Sequence, residues 1–320
     1  MGCVPEAPPP RPTMGEGDGP ERFYVLRDVR VEQGADWREI GWDRDGICTE
    51  APDFESECVP PEPVDGIEED GARGIDNVFG HEVVVSATLF GDELEAPFRA
   101  HQEMGLGVTL VRVLGWNGMD EDGQVEVIVA PGAFGTPPDA AGGVPPLPAD
   151  GSLPPPPAWD GMDYFWADEN AFLDGNEDRP LIRDDAAYVT QGLLVMRPPD
   201  RSSLFLTAED KSLEIRLADA VLTAEIADDG LSNVILAGRW RGPDFLEVLP
   251  TLGFCNDTPD TTAYDRLVRL VEIKADVRAV PGSGGPEALC DALSTGIGFT
   301  GVPAQWAGLA TPPPRVSGCE

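Results

Sequence analysis

The sequence predicts a mainly β fold: an antiparallel β-sandwich with two or three C-terminal helices packed on one side. Three observations carry that expectation. Short segments alternate apolar and charged residues at period two, as where Leu213, Ile215 and Leu217 stand against Glu214 and Arg216. Asp-Gly pairs, Asp122-Gly123 and Asp229-Gly230, sit between such segments as hairpin turns. Helical spacing appears only late in the chain, and strands followed by helices put the helices against one side of the sheet layer.

Taken in order, residues 1–20 are rich in Pro, Gly and Glu and read as a disordered tether. Strands are expected at 22–31, where Phe23, Val25, Val29 and Val31 alternate imperfectly with charges, and at 82–90, with β-branched Val83, Val84 and Val85. The next, 106–114, sets Leu106, Val108, Leu110 and Arg112 on one face against Thr109, Val111 and Val113 on the other. Residues 124–130 follow with Val125, Val127 and Val129. Later strands are expected at 188–197, 203–207, 213–217, 220–227, 231–240 and 296–302. Helices are expected at 243–252, which opens on a proline, and at 286–294, which does the same and carries Cys290. Between them, 261–277 places Tyr264, Leu267, Val268 and Val271 at i, i+3, i+4 and i+7.

Residues 131–158 hold ten prolines and five glycines, too few amide donors for a full ladder, and read as an extended excursion. The first half offers too few strands to close a sandwich alone. One domain over 21–303 is therefore expected, with an acidic loop at 41–80, the Pro/Gly-rich excursion, and a tail at 304–320.

Charge excludes several roles. Fifty-eight acidic against 22 basic residues give a net charge of −36, leaving little cation for a nucleic-acid or anionic-membrane face. Hydrophobic content of 41% is enough for a core, yet no run of 18 apolar residues is present to span a bilayer. Lys211 and Lys274 are the only lysines, a usage typical of GC-rich codons, and the acidic surface also suits salty surroundings.

Six cysteines are present, none in a Cys-x-x-Cys pair, and only His81 and His101 could complete a Cys/His zinc set. Disulfides fit better, Cys48 with Cys58 and Cys255 with Cys290, and they imply an oxidising compartment. Cys3 and Cys319 are then free, joined to each other, or modified. Export without a signal peptide is reconciled if Gly2-Cys3 ends a lipobox, which makes Cys3 the acylated residue and a lipid anchor. The competing reading is a cytosolic protein with six thiols.

Residues 41–77 carry twelve carboxylates and only Arg44 and Arg73. Packing such a segment against a domain sets like charges close together, at about 1 kcal/mol per pair even in water. Either the segment stays solvated or a cation neutralises it. Hard oxygens, Asp-x-Asp spacing and glycine turns suit Ca²⁺, with Asp43, Asp45, Asp65, Asp70, Asp76 and Asn77 as the candidate ligands. The spacing is not that of an EF-hand.

Gly41-Trp42-Asp43-Arg44-Asp45-Gly46, then Cys48, Asp65-Gly66 and Gly74-Ile75-Asp76-Asn77, resembles a pattern in uncharacterised secreted lipoproteins of the myxobacterial type. Cys290-Asp291-Ala292-Leu293-Ser294 followed by Gly296-Ile297-Gly298-Phe299 resembles their C-terminal signature, with Cys255 as an upstream cysteine. The likeness covers most of the chain and implies export and a common fold. That group carries no assigned activity, so nothing about catalysis follows.

Two common catalytic motifs are absent from the sequence. There is no Gly-x-Ser-x-Gly, and Gly282-Ser283-Gly284-Gly285 lacks the Gly-Lys-Ser/Thr ending of a phosphate loop. A glycosidase needs only two carboxylates, which 58 acids neither demand nor forbid. Trp159, Asp163, Tyr164, Trp166 and Glu169 interleave rings with acids as a sugar-binding face does; the alternative is that the rings seal the domain where the excursion rejoins it. The function expected is an exported, calcium-stabilised protein with a structural or ligand-binding role, carbohydrate or envelope proteins being its partners. A carbohydrate-active enzyme and a surface protein without a specific ligand are the alternatives.

Overall fold

In a computed structural model of the chain, the residues described are 3–13, 15, 17–50, 55–62, 68–89, 93–138, 155–256, 261–285, 287–312 and 318–319. The strands are β1 (Gly19–Arg30), β2 (Val108–Gly115), β3 (Asp122–Gly135), β4 (Tyr164–Asp168), β5 (Ile182–Thr190), β6 (Leu193–Met196), β7 (Ser203–Thr207), β8 (Ser212–Ala227), β9 (Gly230–Arg241), β10 (Ala292–Pro303) and β11 (Gln305–Ala310). Their order corrects the expected architecture. β3, β2, β1, β10, β9, β8, β6 and β5 pair antiparallel in turn, and β5 pairs back onto β3. Eight strands therefore close into a barrel, not a sandwich. Two seams between the halves of the chain, β1 with β10 and β3 with β5, supply the closure that the first half could not provide alone.

Closure needs curvature, which bulges provide. Asp28, Asp219 and Asn233 all take left-handed backbone angles, with φ of 51°, 47° and 46°. Each resets the alternation of its strand: the inward set passes from Leu26 to Val29, from Leu217 to Ala220, and from Leu231 to Val234. Eight strands leave an interior just wide enough for side chains. Val111, Val127, Val189, Leu194, Ile215, Leu222, Leu236 and Ile297 are among those that fill it.

The helices close one end of this barrel rather than lie on its side. A π-helical turn, Phe79–Val83, runs into α1 (Val84–Leu89), and α2 (Glu95–Glu103), α3 (Gly242–Leu246) and α4 (Thr262–Lys274) complete the group. Phe79, Val83, Phe245, Leu249 and Leu267 share one apolar cluster with Leu213 and Trp240 from the strands. The strand expected at 82–90 is thus helical over its described part. Phe79, Val83 and Ala87 recur at i, i+4 and i+8 and are all buried, which outweighs a β-branched penalty of a few tenths of a kcal/mol per residue. The helix expected at 286–294 is also corrected. Leu289 bridges Val59 in extended form, and β10 begins at Ala292.

A second layer lies outside the barrel. β3 continues past its β5 partner and pairs with β4 at Gly132–Gly135, and β11 adds to β4 in parallel. Pro131 therefore belongs to a strand and not to the excursion, whose middle, 139–154, lies outside the described residues. Phe23, Val25, Val108 and Leu110, on the outer faces of β1 and β2, are buried against Phe165, Ala167 and Trp306 of this annex.

The disulfides join Cys3 to Cys48, Cys58 to Cys290 and Cys255 to Cys319. Both expected pairings are corrected, because the partners that meet lie far apart in sequence. Acylation of Cys3 is corrected with them, since its sulfur is committed to Cys48. The expected tether is instead strapped to the barrel over 3–13: Tyr188 Oη donates to Pro9 O at 2.6 Å, and Arg11 Nε donates to Gly123 O at 2.7 Å. Three disulfides belong to an oxidising compartment. Among the described residues, no helix is long and apolar enough to cross a membrane.

Candidate metal centre

The acidic loop folds against the outer face of β8, β9 and β10. Trp42 anchors it, packing with Val221 and Ala237 while its Nε1 donates to Thr223 Oγ1 at 3.1 Å. Gly296 of β10 is the seat. A Cβ there would lie 2.0 Å from Ile40 O, so only glycine lets the loop backbone approach so closely. Asn77 bolts the loop to this seat. Its Nδ2 donates to Gln33 Oε1 and Ile40 O, both at 2.7 Å, and its Oδ1 accepts from Gly296 N at 2.9 Å and Gly80 N at 3.0 Å. Two donors and two lone pairs are all an amide has, so Asn77 is fully spent on the scaffold.

On that seat the acids converge. Asp43 Oδ1 accepts from Gly46 N at 2.8 Å, curling the loop so that Asp43 and Asp45 face inward together. Asp76 arrives from the other side, its Oδ2 accepting from Arg44 N at 2.6 Å. Carboxylate oxygens of Asp43, Asp45 and Asp76 lie within 4.8 Å of one another. Oxygens on opposite sides of one Ca²⁺ are about 4.6–5.2 Å apart, twice the Ca–O distance, so the three fit within a single coordination sphere. Asp70 and Asp276 border the same cavity as Asp45 and Asp76. Asp70 Oδ2 accepts from Thr49 N at 2.6 Å, and Asp276 Oδ1 accepts from Ser294 N at 2.8 Å. The cavity measures about 20 Å³, room for one water-sized occupant.

The electrostatics are those of crowded anions. Burial pushes Asp45 up to about 6, Asp70 to about 7 and Asp276 to about 7. Burial, and then the charges of Asp45, Asp70 and Asp276, hold Asp76 well above the usual carboxylate range. Among the described residues no lysine or arginine forms an ion pair with any of the five. The nearby cations are engaged by other carboxylates, of which Glu68 also borders the cavity. Arg44 pairs with Asp219, Arg239 with Glu57, and Lys274 with Glu68. Arg239 is buried and also donates to Arg278 O at 2.7 Å and to Arg44 O, so with Glu57 it ties two stretches of the loop and the segment after α4 to β9.

Glu68, His81 and Glu82 form a second group with ligand atoms within 4.8 Å. The Lys274 ammonium already sits in it, 3.6 Å from Glu82, and the His81 ring stacks on Trp37 with centroids 4.2 Å apart.

Of the six candidate ligands read from sequence, Asp43, Asp45, Asp70 and Asp76 come together, Asn77 is turned to scaffolding, and Asp65 lies outside the described residues. Asp276 was not legible, since no local pattern marks a lone acid two hundred residues downstream. The aromatic segment has structural partners throughout. Asp163 accepts from Trp159 N at 2.6 Å, Trp166 Nε1 donates to Thr136 O at 3.0 Å, and Glu169 accepts from Thr311 Oγ1 at 2.8 Å. Trp159 packs on Phe165 with Arg27 over its ring, and Tyr164 pairs with Gly135 and Gln305.

No protein-family model matches the chain, and neither the curated proteins nor the solved structures contain a match.

Proposed function

We propose that the chain is an exported, disulfide-stapled β-barrel protein whose acidic loop takes its shape around a bound Ca²⁺ ion, and that it serves a structural or binding role at the cell envelope. One observation carries this reading: Asp45, Asp70, Asp76 and Asp276 border a single cavity with Asp43 beside Asp45 and Asp76, and among the described residues none of the five is ion-paired to a lysine or arginine. Neutralising them takes protons or a metal. At neutral pH and above, a divalent ion is the stronger solution, because it meets several oxygens at once. The all-oxygen donor set favours Ca²⁺ over zinc or copper, which seek imidazole and thiolate.

The ion would act on stability rather than on a reaction. A ligand that binds only the folded state at one hundred times its Kd stabilises by about 2.7 kcal/mol. Calorimetric titration of EGTA-stripped protein with CaCl₂ is the test. We expect saturable heat at a stoichiometry of one and a higher Tm in calcium than in EGTA, both lost in Asp45→Asn. An identical melting curve in calcium and in EGTA, with no binding heat, overturns the reading. No observation favours a second one.

A further inference from the structure

The segment at Cys3–Arg11 is bound to the same loop that carries the acids. Cys3 is disulfide-bonded to Cys48, three residues after Asp45. Glu6 N donates to Arg73 O at 3.0 Å, and Asp43 N donates to Glu6 O at 3.3 Å, so the segment bridges the two stretches that deliver Asp43 and Asp76. The Glu6 and Arg73 side chains form an ion pair across the same junction. Gly74 is where the pieces touch. Its φ is 74°, and a Cβ there would stand 3.1 Å from Cys48 Sγ and 3.3 Å from Pro5 Cα. The disulfide, the strap and the Asp76 turn are thus packed as one unit.

The three disulfides are unequally placed. Cys58 and Cys290 are buried, whereas Cys3 and Cys48 are half-buried, as are Cys255 and Cys319 at the far end of the chain. Thiol–disulfide exchange depends on access of the attacking thiolate to sulfur, so the strap's bond is open to attack while the one joining the loop to the barrel is shielded.

We propose that residues 3–11 are a redox-controlled latch on the acidic centre, opened when a dithiol reduces the Cys3–Cys48 bond. A thiolate of the dithiol attacks Cys3 Sγ, forming a mixed disulfide and releasing Cys48 as thiolate. The second thiol of the reagent then attacks its own mixed sulfur, closing the reagent's disulfide and releasing Cys3. Two electrons pass from dithiol to protein, and the two cysteine sulfurs end with one proton each at neutral pH. With the strap released, the backbone bonds that Glu6 makes to residues 43 and 73 lose their tether, and Asp43 separates from Asp76. This latch rests on the reading of the site as a Ca²⁺ centre, but its motion can be followed without the ion.

The experiment uses the full chain in three forms: oxidised, briefly treated with dithiothreitol, and carrying Cys3→Ser with Cys48→Ser. Alkylation and peptide mass mapping identify the bond opened. Hydrogen exchange reports residues 41–50 and 70–77, and calorimetry reports Ca²⁺ affinity. We expect Cys3–Cys48 to open before Cys58–Cys290, exchange at 43–46 and 73–76 to rise at least tenfold, and Ca²⁺ affinity to fall at least tenfold, with the variant matching the reduced protein. Unchanged exchange in both the reduced protein and the variant overturns the latch, as does earlier opening of Cys58–Cys290. Absence of Ca²⁺ binding in the oxidised protein overturns the ion reading alone, and the exchange data then decide the latch by themselves. Should the variant fail to fold, a Cys255→Ser, Cys319→Ser protein briefly treated with dithiothreitol, whose one half-buried disulfide is Cys3–Cys48, supplies the same comparison.

Discussion

Asp76 shows at the scale of one residue why this loop holds together. Its carboxyl is buried, accepts from Arg44 N, and faces three other acids, so in the absence of a cation its charged form is disfavoured. The same holds for Asp45, Asp70 and Asp276, whose values rise to about 6, about 7 and about 7. A carboxyl raised in the folded state binds its proton more tightly there than in the unfolded chain. Its contribution is therefore complete below the ordinary carboxylate value and is lost as pH climbs to the folded one. In EGTA, the stability of the wild type relative to Asp70→Asn should fall between about pH 4 and pH 7, by at most about 4 kcal/mol and less where solvent screens the half-buried carboxyl, and then level off. Chemical denaturation of both proteins across that range checks this, and a constant difference sinks it. On the proposed reading, calcium would compete with those protons, and its stabilising effect is expected to grow over the same window. Asp43 and Asp45 were legible as a pair because i, i+2 acids beside a glycine share one side of an extended loop. Asp276 was not, because what brings it in is the return of the chain at β10.

At the scale of elements, the period-two signal read the strands well where it ran unbroken, as at Leu213, Ile215 and Leu217. It faltered in β1 for a physical reason: Asp28 takes a left-handed conformation and turns Val29 and Val31 onto the face that Tyr24 and Leu26 occupied. Val83, Val84 and Val85 misled in the other direction, since local propensity favours a strand and burial of one helical stripe prevails. The joint between loop and barrel was not legible at all. Arg239 looks like an outward residue of β9, yet it is 1% exposed and paired with Glu57 beneath the loop. Removing one partner of such a pair strands the other charge. Arg239→Met should cost about 3–5 kcal/mol in urea unfolding, and adding Glu57→Met should restore much of it, because replacing both partners by apolar groups is close to neutral. A double variant no more stable than the single one would show that the pair is not what anchors the loop.

For the molecule as a whole, connectivity was beyond the sequence: six cysteines allow fifteen pairings, and spacing favours short loops that the fold does not use. Cys58–Cys290 spans 232 residues and Cys255–Cys319 spans 64. On chain-entropy grounds the first constrains the unfolded chain by about 5 kcal/mol and the second by about 4. Replacing Cys58 and Cys290 with alanine should therefore lower Tm further than replacing Cys255 and Cys319, and the reverse order would count against the pairing. The closed barrel went unread because strand order depends on which edges meet, and the seams β1–β10 and β3–β5 join segments more than fifty residues apart.

β3 has a consequence of its own. It is at once a stave of the barrel and the inner strand of the annex, held by β2 along one side and by β5 and then β4 along the other. Neither layer can peel away without pulling a stave from its neighbour. Heating should therefore melt both layers in a single cooperative transition rather than in stages.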